Sequence, residues 1–245
     1  MTKFTISLAE VNISVTANYE STREFCKEYI VEAEPDFAVT VSEQDIAFER
    51  EKTLREAEVE NLPAPEFTEA YLETIALYRK IADTLIHYDT FLFHGSVVAV
   101  DGQAYLFTAT SGTGKSTHTR IWRKVFKERA FMVNDDKPLL RVYEDGVKVC
   151  GTPWDGKHRL STNIIVPLKG ICILERGETN IISPITADEA LPMLLQQCHR
   201  PASADGLISV LGVMDRLMKC MKFYRLRCTI SPNAARTAFD MMSKG

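Results

Sequence analysis

A glycine-rich segment ending in Lys-Ser-Thr, residues 109–117 (ATSGTGKST), carries residue types that bind phosphate. It follows the P-loop pattern G-x-x-x-x-G-K-[ST], with Ala109 in the first glycine position. The backbone amides of residues 111–116 can surround a phosphate, and a following helix directs the positive end of its dipole toward it. We therefore expect nucleotide phosphates at this segment. A glycine-rich turn that only caps a helix is the alternative.

The side chains of this segment predict separate roles. Lys115 would reach the β- and γ-phosphates, and the hydroxyl of Ser116 would hold Mg²⁺. Thr117 is the weaker hydroxyl candidate because it belongs to the helix. The predicted nucleotide-binding set is Ser111, Gly112, Thr113, Gly114, Lys115, Ser116 and Thr117.

Two adjacent acids, Asp135 and Asp136, follow the apolar run Phe131–Val133. One carboxylate can contact Mg²⁺ and the other can take a proton from an attacking hydroxyl. The alternative is that Asp-Asp only begins a turn. Two acids favour transfer to an acceptor over simple hydrolysis. The chain has no NKxD-like guanine motif, which argues against a signalling GTPase.

The segment 151–163 (GTPWDGKHRLSTN) concentrates charged and aromatic residues between two predicted strands. Gly151 and Gly156 give it conformational freedom, and loops on a rigid sheet commonly carry binding residues. Lys157 and Arg159 could neutralise a transferred phosphoryl group or bind an acidic acceptor. A hairpin loop with solvated charges is the alternative.

The elements that must position these residues alternate between strands and helices. Apolar strands at 91–100 and 104–110 flank a hairpin signal at Asp101-Gly102, and the second strand leads into the glycine-rich segment and a helix. This order predicts an α/β fold with a mixed sheet flanked by helices. Further strands are expected on both sides of Asp-Asp and near 164–168, 170–175, 180–182 and 222–230, with helices at 187–199, at 206–219 and at the C-terminal end.

The N-terminal part has a different pattern. Residues 3–16 and 36–50 alternate apolar and polar side chains, which predicts strands, and 51–66 is polar and reads as a connector. Residues 67–87 have helical spacing, with Thr68 as the N-cap. We predict a small β-rich region, 1–62, and a P-loop domain, 63–245. An edge extension of the main sheet is the alternative for the first region.

Composition limits the classes of partner. The chain has 245 residues, 45% of them hydrophobic, and a net charge of −4 without a strongly basic run, so nucleic acid is not expected. We find no signal-peptide pattern and no apolar run of about 18 residues, and we therefore expect a cytoplasmic protein without a membrane partner. The apolar stripe on the helix at 206–219 is expected in the core, with a homo-oligomer interface as the alternative.

Three of these segments together resemble the superfamily of HPr kinase/phosphorylase and PEP carboxykinase. FHGSVVAVDGQAYLFTA resembles the family's strand–hairpin–strand unit, TSGTGKST its P-loop, and MVNDDKPLL its Asp-Asp strand. The resemblance covers about residues 90–142. Residues 151–163 and the C-terminal strand and helix look like small HPr-kinase-like proteins.

The resemblance implies an HPr-kinase-like fold that binds ATP and Mg²⁺. It implies that residues 111–116 cradle phosphate, that Asp135 is the general base toward a serine-type hydroxyl, and that Asp136 lies nearer the metal with Ser116. The two acids could be exchanged. It also implies that His94 lies near the phosphate site, the alternative being a half-buried strand histidine.

Departures from the family narrow the expected function. No segment matches the HPr kinase signature after the Asp-Asp strand, which puts HPr as the substrate in doubt. The chain is too short for a carboxykinase and lacks its metal-binding Lys/His set and oxaloacetate-binding arginine. We expect a kinase with catalytic residues Asp135, Lys115 and His94, acting on a hydroxyl of a protein, a peptide or a small molecule. A non-catalytic ATP sensor and a phosphorylase running in reverse are the alternatives; ATP, GTP and pyrophosphate all stay open as donors.

Overall fold

The computed structural model describes residues 1–59, 61 and 63–244. Contacts between residues divide the chain into two compact units, Met1–Thr84 and Leu85–Gly245. The predicted division into 1–62 and 63–245 stays a prediction. Among the described residues, no helix combines the length and the apolar composition needed to cross a lipid bilayer.

The N-terminal unit contains its own three-stranded sheet, in the order β1-β2-β3. The hairpin between β1 and β2 turns at Ala9 and Glu10, which both have positive φ, as a two-residue type I′ hairpin turn requires. The small N-terminal sheet is confirmed, and it is separate from the main sheet rather than an extension of its edge. The elements are β1 (Thr2–Leu8), β2 (Val11–Ala17), α1 (Glu20–Phe25), β3 (Phe37–Thr40), α2 (Glu43–Val59) and α3 (Glu69–Leu85).

Two expectations for this unit are wrong. Strands were predicted over 36–50, yet the strand ends at Thr40 and a helix occupies Glu43–Val59, which also replaces much of the predicted connector 51–66. The helix starts because Ser42 and Asp45 cap it, each accepting a hydrogen bond from the other's backbone N–H, at 3.2 and 2.9 Å. Residues 60 and 62 of the predicted connector lie outside the described part of the chain.

Ion pairs hold α2 against α3 within this unit. Glu49 is buried and pairs with Arg79, while Asp45 lies 2.8 Å from the Nζ of Lys80. A buried carboxylate needs such a partner because burial alone opposes its charge. The alternation in 36–50 was therefore misread because part of it is the charged, paired face of a helix. The predicted Thr68 N-cap is confirmed, since its Oγ1 accepts a 3.2 Å hydrogen bond from the backbone N–H of Tyr71.

The C-terminal unit is a nine-stranded mixed sheet with helices on both faces. Its main path is β4-β8-β9-β10-β6-β5-β7, and β12 pairs with β10 and with β11. The predicted α/β class, with a mixed sheet flanked by helices, is confirmed. The strands are β4 (Thr90–Leu92), β5 (Gly95–Val100), β6 (Gln103–Thr108), β7 (Ala130–Asp136), β8 (Leu139–Tyr143), β9 (Gly146–Cys150), β10 (Ile165–Arg176), β11 (Ile181–Ile185) and β12 (Phe223–Cys228); the helices are α4 (Lys115–Phe126), α5 (Ala187–Gln197), α6 (Ala204–Cys220) and α7 (Pro232–Met242).

One long strand, β10, replaces the two strands predicted at 164–168 and 170–175. Its first residues pair with β9, and its later residues lie between β6 and β12, both parallel to it. The register with β6 shifts between Leu168 and Gly170. Gly170 allows close packing there, because a Cβ on it would lie 2.9 Å from the ring of Tyr224.

The central strands are buried on both faces, which explains their continuous apolar sequences. Along β5, Val97 and Ala99 pack in the cluster that includes α5 and α6, and Val98 and Val100 pack in the cluster that includes α4 and α7. Side chains alternate across a strand, so a strand between two helical layers is apolar at every position. The end of the central sheet from which the glycine-rich segment leaves is therefore held in place by helices on both faces.

A buried histidine on α4 predicts an acid-sensitive fold. His118 accepts a 2.9 Å hydrogen bond from the indole N–H of Trp122, and burial lowers the pKa of His118 to about 4. Below the ordinary histidine pKa of about 6.5, the unfolded chain therefore binds more protons at this residue than the folded chain does. The free energy of unfolding should fall as the pH falls through this window, by on the order of 3 kcal/mol.

Urea unfolding at pH 7 and at pH 4.5 measures this dependence. His118→Gln should flatten it, whereas His87→Gln, at an exposed histidine of the same unit, should leave the wild-type slope unchanged. Equal slopes in all three proteins would contradict a neutral, buried His118.

Candidate functional site

The glycine-rich segment has the geometry of a P-loop. Strand β6 ends at Thr108, and α4 begins at Lys115 with Gly114 as its N-cap. Gly112 and Gly114 have φ values of 75° and 121°, which strongly favour glycine. Ala109 is buried and is not among the residues with positive φ, so an alanine is accommodated in place of the usual first glycine.

A cavity of about 360 Å³, here called the phosphate cavity, opens beside the start of α4. It brings together P-loop residues, the two acids and part of the 151–163 loop. Ser111 and Thr113 of the predicted set do not line it. Its lining residues are His94, Gly95, Ser96, Gly112, Gly114, Lys115, Ser116, Thr117, Asp135, Asp136, Lys157 and His158.

Strand register brings the acids to the P-loop. Strand β5 lies between β6, which leads into the P-loop, and β7, which carries Asp135 and Asp136. In this register Ser96 lies opposite Asp135, and Gly95 lies opposite Asp136. Three neighbouring strands, β6, β5 and β7, therefore place the P-loop, Ser96 and the two acids at the same end of the sheet.

A chain of hydroxyl groups connects Asp135 to α4. The Oδ1 of buried Asp135 accepts a 2.6 Å hydrogen bond from the Oγ of Ser96, which lies 2.8 Å from the Oγ1 of Thr119. The order that satisfies all three groups has Thr119 donating to Ser96 and Ser96 donating to Asp135. Sequence reasoning did not identify Ser96 and Thr119 because only the folded register places them beside the acid.

The turn after the Asp-Asp pair is organised by Asn134. Its buried amide nitrogen donates to the Oγ1 of Thr152 at 3.0 Å, and its Oδ1 accepts from the backbone N–H groups of Asp136 and Lys137 at 2.9 and 2.8 Å. Asparagine commonly fixes a turn in this way. The turn holds Asp136 so that its Oδ1 lies 3.5 Å from the Nε2 of His94.

Burial and neighbouring charges shift the pKa values of His94 and Lys115. Burial, together with the charge of Lys115, lowers the pKa of His94, although Asp136 acts in the opposite direction. His94 is therefore mostly neutral at pH 7. Burial also lowers the pKa of Lys115, and both acids oppose this shift. The Nζ of Lys115 donates to the carbonyl of Ala109 at 3.1 Å.

The 151–163 loop packs over the end of β7. A Cβ on Gly151 would lie 1.9 Å from the carbonyl oxygen of Thr162, so the two ends of the loop touch where only glycine fits. Gly156 has a φ of 68°, and a Cβ there would lie 3.2 Å from the backbone oxygen of Asp135. Only Gly156 uses the conformational freedom that the sequence predicted, whereas Gly151 is required for space.

The two predicted substrate residues separate in the structure. Lys157 lines the phosphate cavity, together with His158, which was not in the predicted set. Arg159 does not line it; its guanidinium lies 4.0 Å from the Oδ1 of Asp155, and its backbone has a positive φ of 50°. That left-handed residue turns the chain after a short 3₁₀ turn at Gly156–His158.

Asp155 is a buried acid behind the cavity. Its side chain accepts a 2.8 Å hydrogen bond from Ser161 at Oδ2, and its Oδ1 has no hydrogen-bond partner among the residues that the structure describes. Burial raises the pKa of this carboxyl group, and the nearby charge of Asp135 acts in the same direction. The sequence marked the charged loop that contains Asp155 as a binding loop, but it did not show that this carboxyl group is buried.

The donors in the cavity suit a magnesium ion. Ser116 offers a hydroxyl and Asp136 a carboxylate, and Mg²⁺ in phosphotransferases is usually held by one or two such groups plus substrate phosphates. Within residues 1–59, 61 and 63–244, no three His, Cys, Asp or Glu side chains form a metal site by themselves.

Comparisons with known proteins give a structural likeness only. No family model matches the chain, and no curated protein matches it. Among solved structures, the HPr(Ser) kinase/phosphatase from Coxiella burnetii is similar, with a TM-score of 0.36 and 10% sequence identity over 62% of this chain and 97% of that one. A likeness at this level does not establish a shared family or a shared activity.

The buried Asp155 makes a contribution to stability that falls with rising pH, opposite in direction to that of His118. Because its pKa is raised in the folded protein, the folded state binds more protons than the unfolded state above the ordinary pKa of about 4. Asp155→Asn removes this titration. Its melting temperature relative to the wild type should therefore be higher at pH 7 than at pH 4.

Thermal unfolding at the two pH values checks this expectation. Asp145→Asn, at the exposed turn between β8 and β9, is the control and should show no such difference. A melting temperature of Asp155→Asn that shifts equally at both pH values would contradict the raised pKa.

Proposed function

We propose that this protein is a Mg-ATP-dependent phosphotransferase that moves the γ-phosphoryl group onto a hydroxyl, with a serine-type hydroxyl preferred. One observation carries the proposal: Lys115 and Ser116 of a P-loop line the same cavity as Asp135 and Asp136. Groups that bind phosphate and metal thus face groups that can receive a proton. The sequence resemblance to HPr kinases supports the same assignment.

The P-loop would hold the donor's phosphates. The N-terminal end of α4 carries a partial positive charge and unpaired N–H groups, to which the loop amides add. Lys115 projects into the same space and would balance charge on the β- and γ-oxygens as the bridging bond breaks. Its ammonium already lies within 3.1 Å of the Ala109 carbonyl, so it needs to move only locally.

Asp135 would act as the general base. The acceptor hydroxyl gives its proton to this carboxylate while its oxygen bonds to the γ-phosphorus, and the bond from that phosphorus to the β,γ-bridging oxygen breaks to release ADP. The hydrogen bond from Ser96 fixes the carboxylate in position. Ser96 is therefore proposed as a positioning residue rather than a group that touches the substrate.

Ser116 and Asp136 would hold Mg²⁺ with the phosphates. The ion, when bound, neutralises charge on the β- and γ-phosphate oxygens. His94 lies 3.5 Å from Asp136 and is mostly neutral, so it would orient that carboxylate without placing a second positive charge beside the cation. The roles of the two acids could still be exchanged, and their variants distinguish them.

Lys157 and His158 would meet the acceptor. Both line the phosphate cavity beside the acids, where an incoming hydroxyl must approach. A lysine at this place can attract a phosphoryl oxygen or an acidic group next to the acceptor hydroxyl. Arg159 is proposed to act only indirectly, by its charge near Asp155.

Asp135→Asn tests the catalytic role. The amide keeps the shape of the side chain but cannot take the proton, so transfer should fall by about 10²-fold or more while ATP affinity stays within about twofold. Phosphoryl transfer from γ-labelled ATP to fractions of host lysate measures the first quantity, and calorimetric titration measures the second. Asp145→Asn, outside the cavity, should behave as the wild type.

Asp136→Asn separates the two acids. If Asp136 is the metal ligand, the variant should need about tenfold more Mg²⁺ for half-maximal transfer, whereas Asp135→Asn should not change this requirement. The reverse pattern would exchange the two roles. ATP binding with no labelled product in any fraction, even with the wild type, would instead support a non-catalytic sensor.

A further inference from the structure

Arg176, at the end of β10, contacts the P-loop directly. Strands β10 and β6 run parallel, with Ile173 opposite Thr108. Strand β6 ends at Thr108, where the chain enters the P-loop, whereas β10 continues to Arg176. The last residues of β10 therefore lie beside the P-loop, and the Nη2 of Arg176 donates a hydrogen bond to the carbonyl oxygen of Gly112 at 2.5 Å.

The backbone of Arg176 is held by the sheet. Arg176 lies opposite Cys228 of β12, and the backbone N–H of Gly177 donates to the carbonyl oxygen of Cys228 at 3.0 Å. Leu174, two residues earlier on β10, packs in the cluster that includes α4 and α7. Because alternate side chains of a strand share a face, Arg176 projects on the α4 side of the sheet. Only its long side chain, which is exposed, can change position.

The other hydrogen bonds of the P-loop are local. The hydroxyls of Thr110 and Thr113 lie 3.0 Å apart, and the Nζ of Lys115 donates to the carbonyl oxygen of Ala109 at 3.1 Å. Others connect the loop to α4, which directly follows it. Among the side chains that the structure describes, Arg176 is the one outside this segment and α4 that forms a hydrogen bond with the loop. It therefore joins the loop to the sheet by a path that does not follow the chain.

This contact fixes one peptide unit of the loop. In the planar peptide between Gly112 and Thr113, the carbonyl and the N–H point in opposite directions. The carbonyl oxygen accepts from Arg176, and the N–H donates to the carbonyl oxygen of Thr110 at 3.3 Å. Gly112 and Gly114, which both have positive φ, have the conformational freedom that would let this unit rotate. The two hydrogen bonds hold it at both ends.

The orientation of this peptide matters for phosphate binding. Gly112 and Gly114 line the phosphate cavity, and Lys115 follows directly as the first residue of α4. Backbone N–H groups bind an anion together only when successive peptides are turned toward it. Ordering a loop on binding costs free energy, and a loop that is already held in shape avoids much of this cost.

We propose that Arg176 is a positioning residue of the P-loop, which holds the Gly112–Thr113 peptide so that the loop keeps a shape suited to the phosphates of the donor. The inference rests on the proposed function, since it assumes that these phosphates bind at the P-loop. Arg176 lies outside the P-loop motif, so the motif does not identify it. It acts through the loop rather than by contact with the nucleotide.

Arg176→Met tests this role because methionine keeps an unbranched apolar stem and removes the charged donor. Calorimetric titrations in Mg²⁺ compare ATP with inorganic tripolyphosphate, which carries the phosphates without the nucleoside. Both affinities should fall about fivefold, since the loop serves both ligands equally. Arg236→Met, at an exposed arginine of α7 on the same face of the sheet, is the control and should change neither affinity.

Hydrogen exchange of the backbone amides in 109–117 separates positioning from direct contact with phosphate. In the ligand-free protein, Arg176→Met should increase the exchange rate of this segment about fivefold and leave the exchange of β10 and β12 unchanged. A side chain that only contacts a bound phosphate would not alter exchange without ligand. Because the contact is a single hydrogen bond, Arg176→Lys keeps a suitable charged donor and should restore exchange and affinities to within about twofold of the wild type.

The possible outcomes separate this inference from the proposed function. Unchanged affinities in Arg176→Met, a loss of affinity for ATP alone, or weaker binding of both ligands with unchanged exchange would overturn the inference and leave the P-loop assignment in place. Binding of neither ligand by the wild type would overturn both. Since the side chain is exposed, the melting temperature of Arg176→Met should equal that of the wild type. A melting temperature that falls together with the affinities would reduce Arg176 to a general structural role and overturn the inference.

Discussion

The hydrogen-bonded chain from Thr119 through Ser96 to Asp135 is the interaction on which the site depends. It joins three elements that are far apart in sequence: the helix after the P-loop, the central strand β5 and the Asp-Asp strand β7. Each hydroxyl in it is buried and must be paired; loss of the Ser96 hydroxyl would take a hydrogen bond from Asp135, whereas Thr119 can also donate to the carbonyls of Lys115 and Ser116. The distance between the start of α4 and Asp135 is therefore fixed by buried contacts.

That arrangement in turn requires a rigid sheet edge. Strands β5 and β6 are apolar on both sides, and their tight hairpin at Asp101 and Gly102 fixes their register. The helices α4 and α7 on one face and α5 and α6 on the other hold the strands in place. The polar groups of the site are added at the ends of these strands, where an otherwise apolar sheet meets solvent.

Local signals in the sequence predicted much of this fold. Features that depend on contacts between distant segments could not be predicted. The P-loop at 109–117, the hairpin at Asp101 and the helix after it follow from turn chemistry and periodicity within one segment. The acids were recognised as a pair, but the sequence does not show that Ser96 faces Asp135, because a strand register is set by contacts across the sheet. The helix at Glu43–Val59 was misread because charged partners on α3 stabilise it.

The pinch at Gly151 closes the loop over the acids into a ring. Its two ends meet in a contact that excludes even a methyl group, and the ring is also held to β7 through the hydrogen bond from Asn134 to Thr152 and a bridge between Asn134 and Ser161. Its tip, with the exposed Lys157 and His158, makes none of these contacts and can change in chemistry with little effect on the strands beneath. The scaffold thus separates the buried part of the ring, which evolution must preserve, from an exposed tip that an engineer could exchange to present a different surface to Asp135 and Asp136.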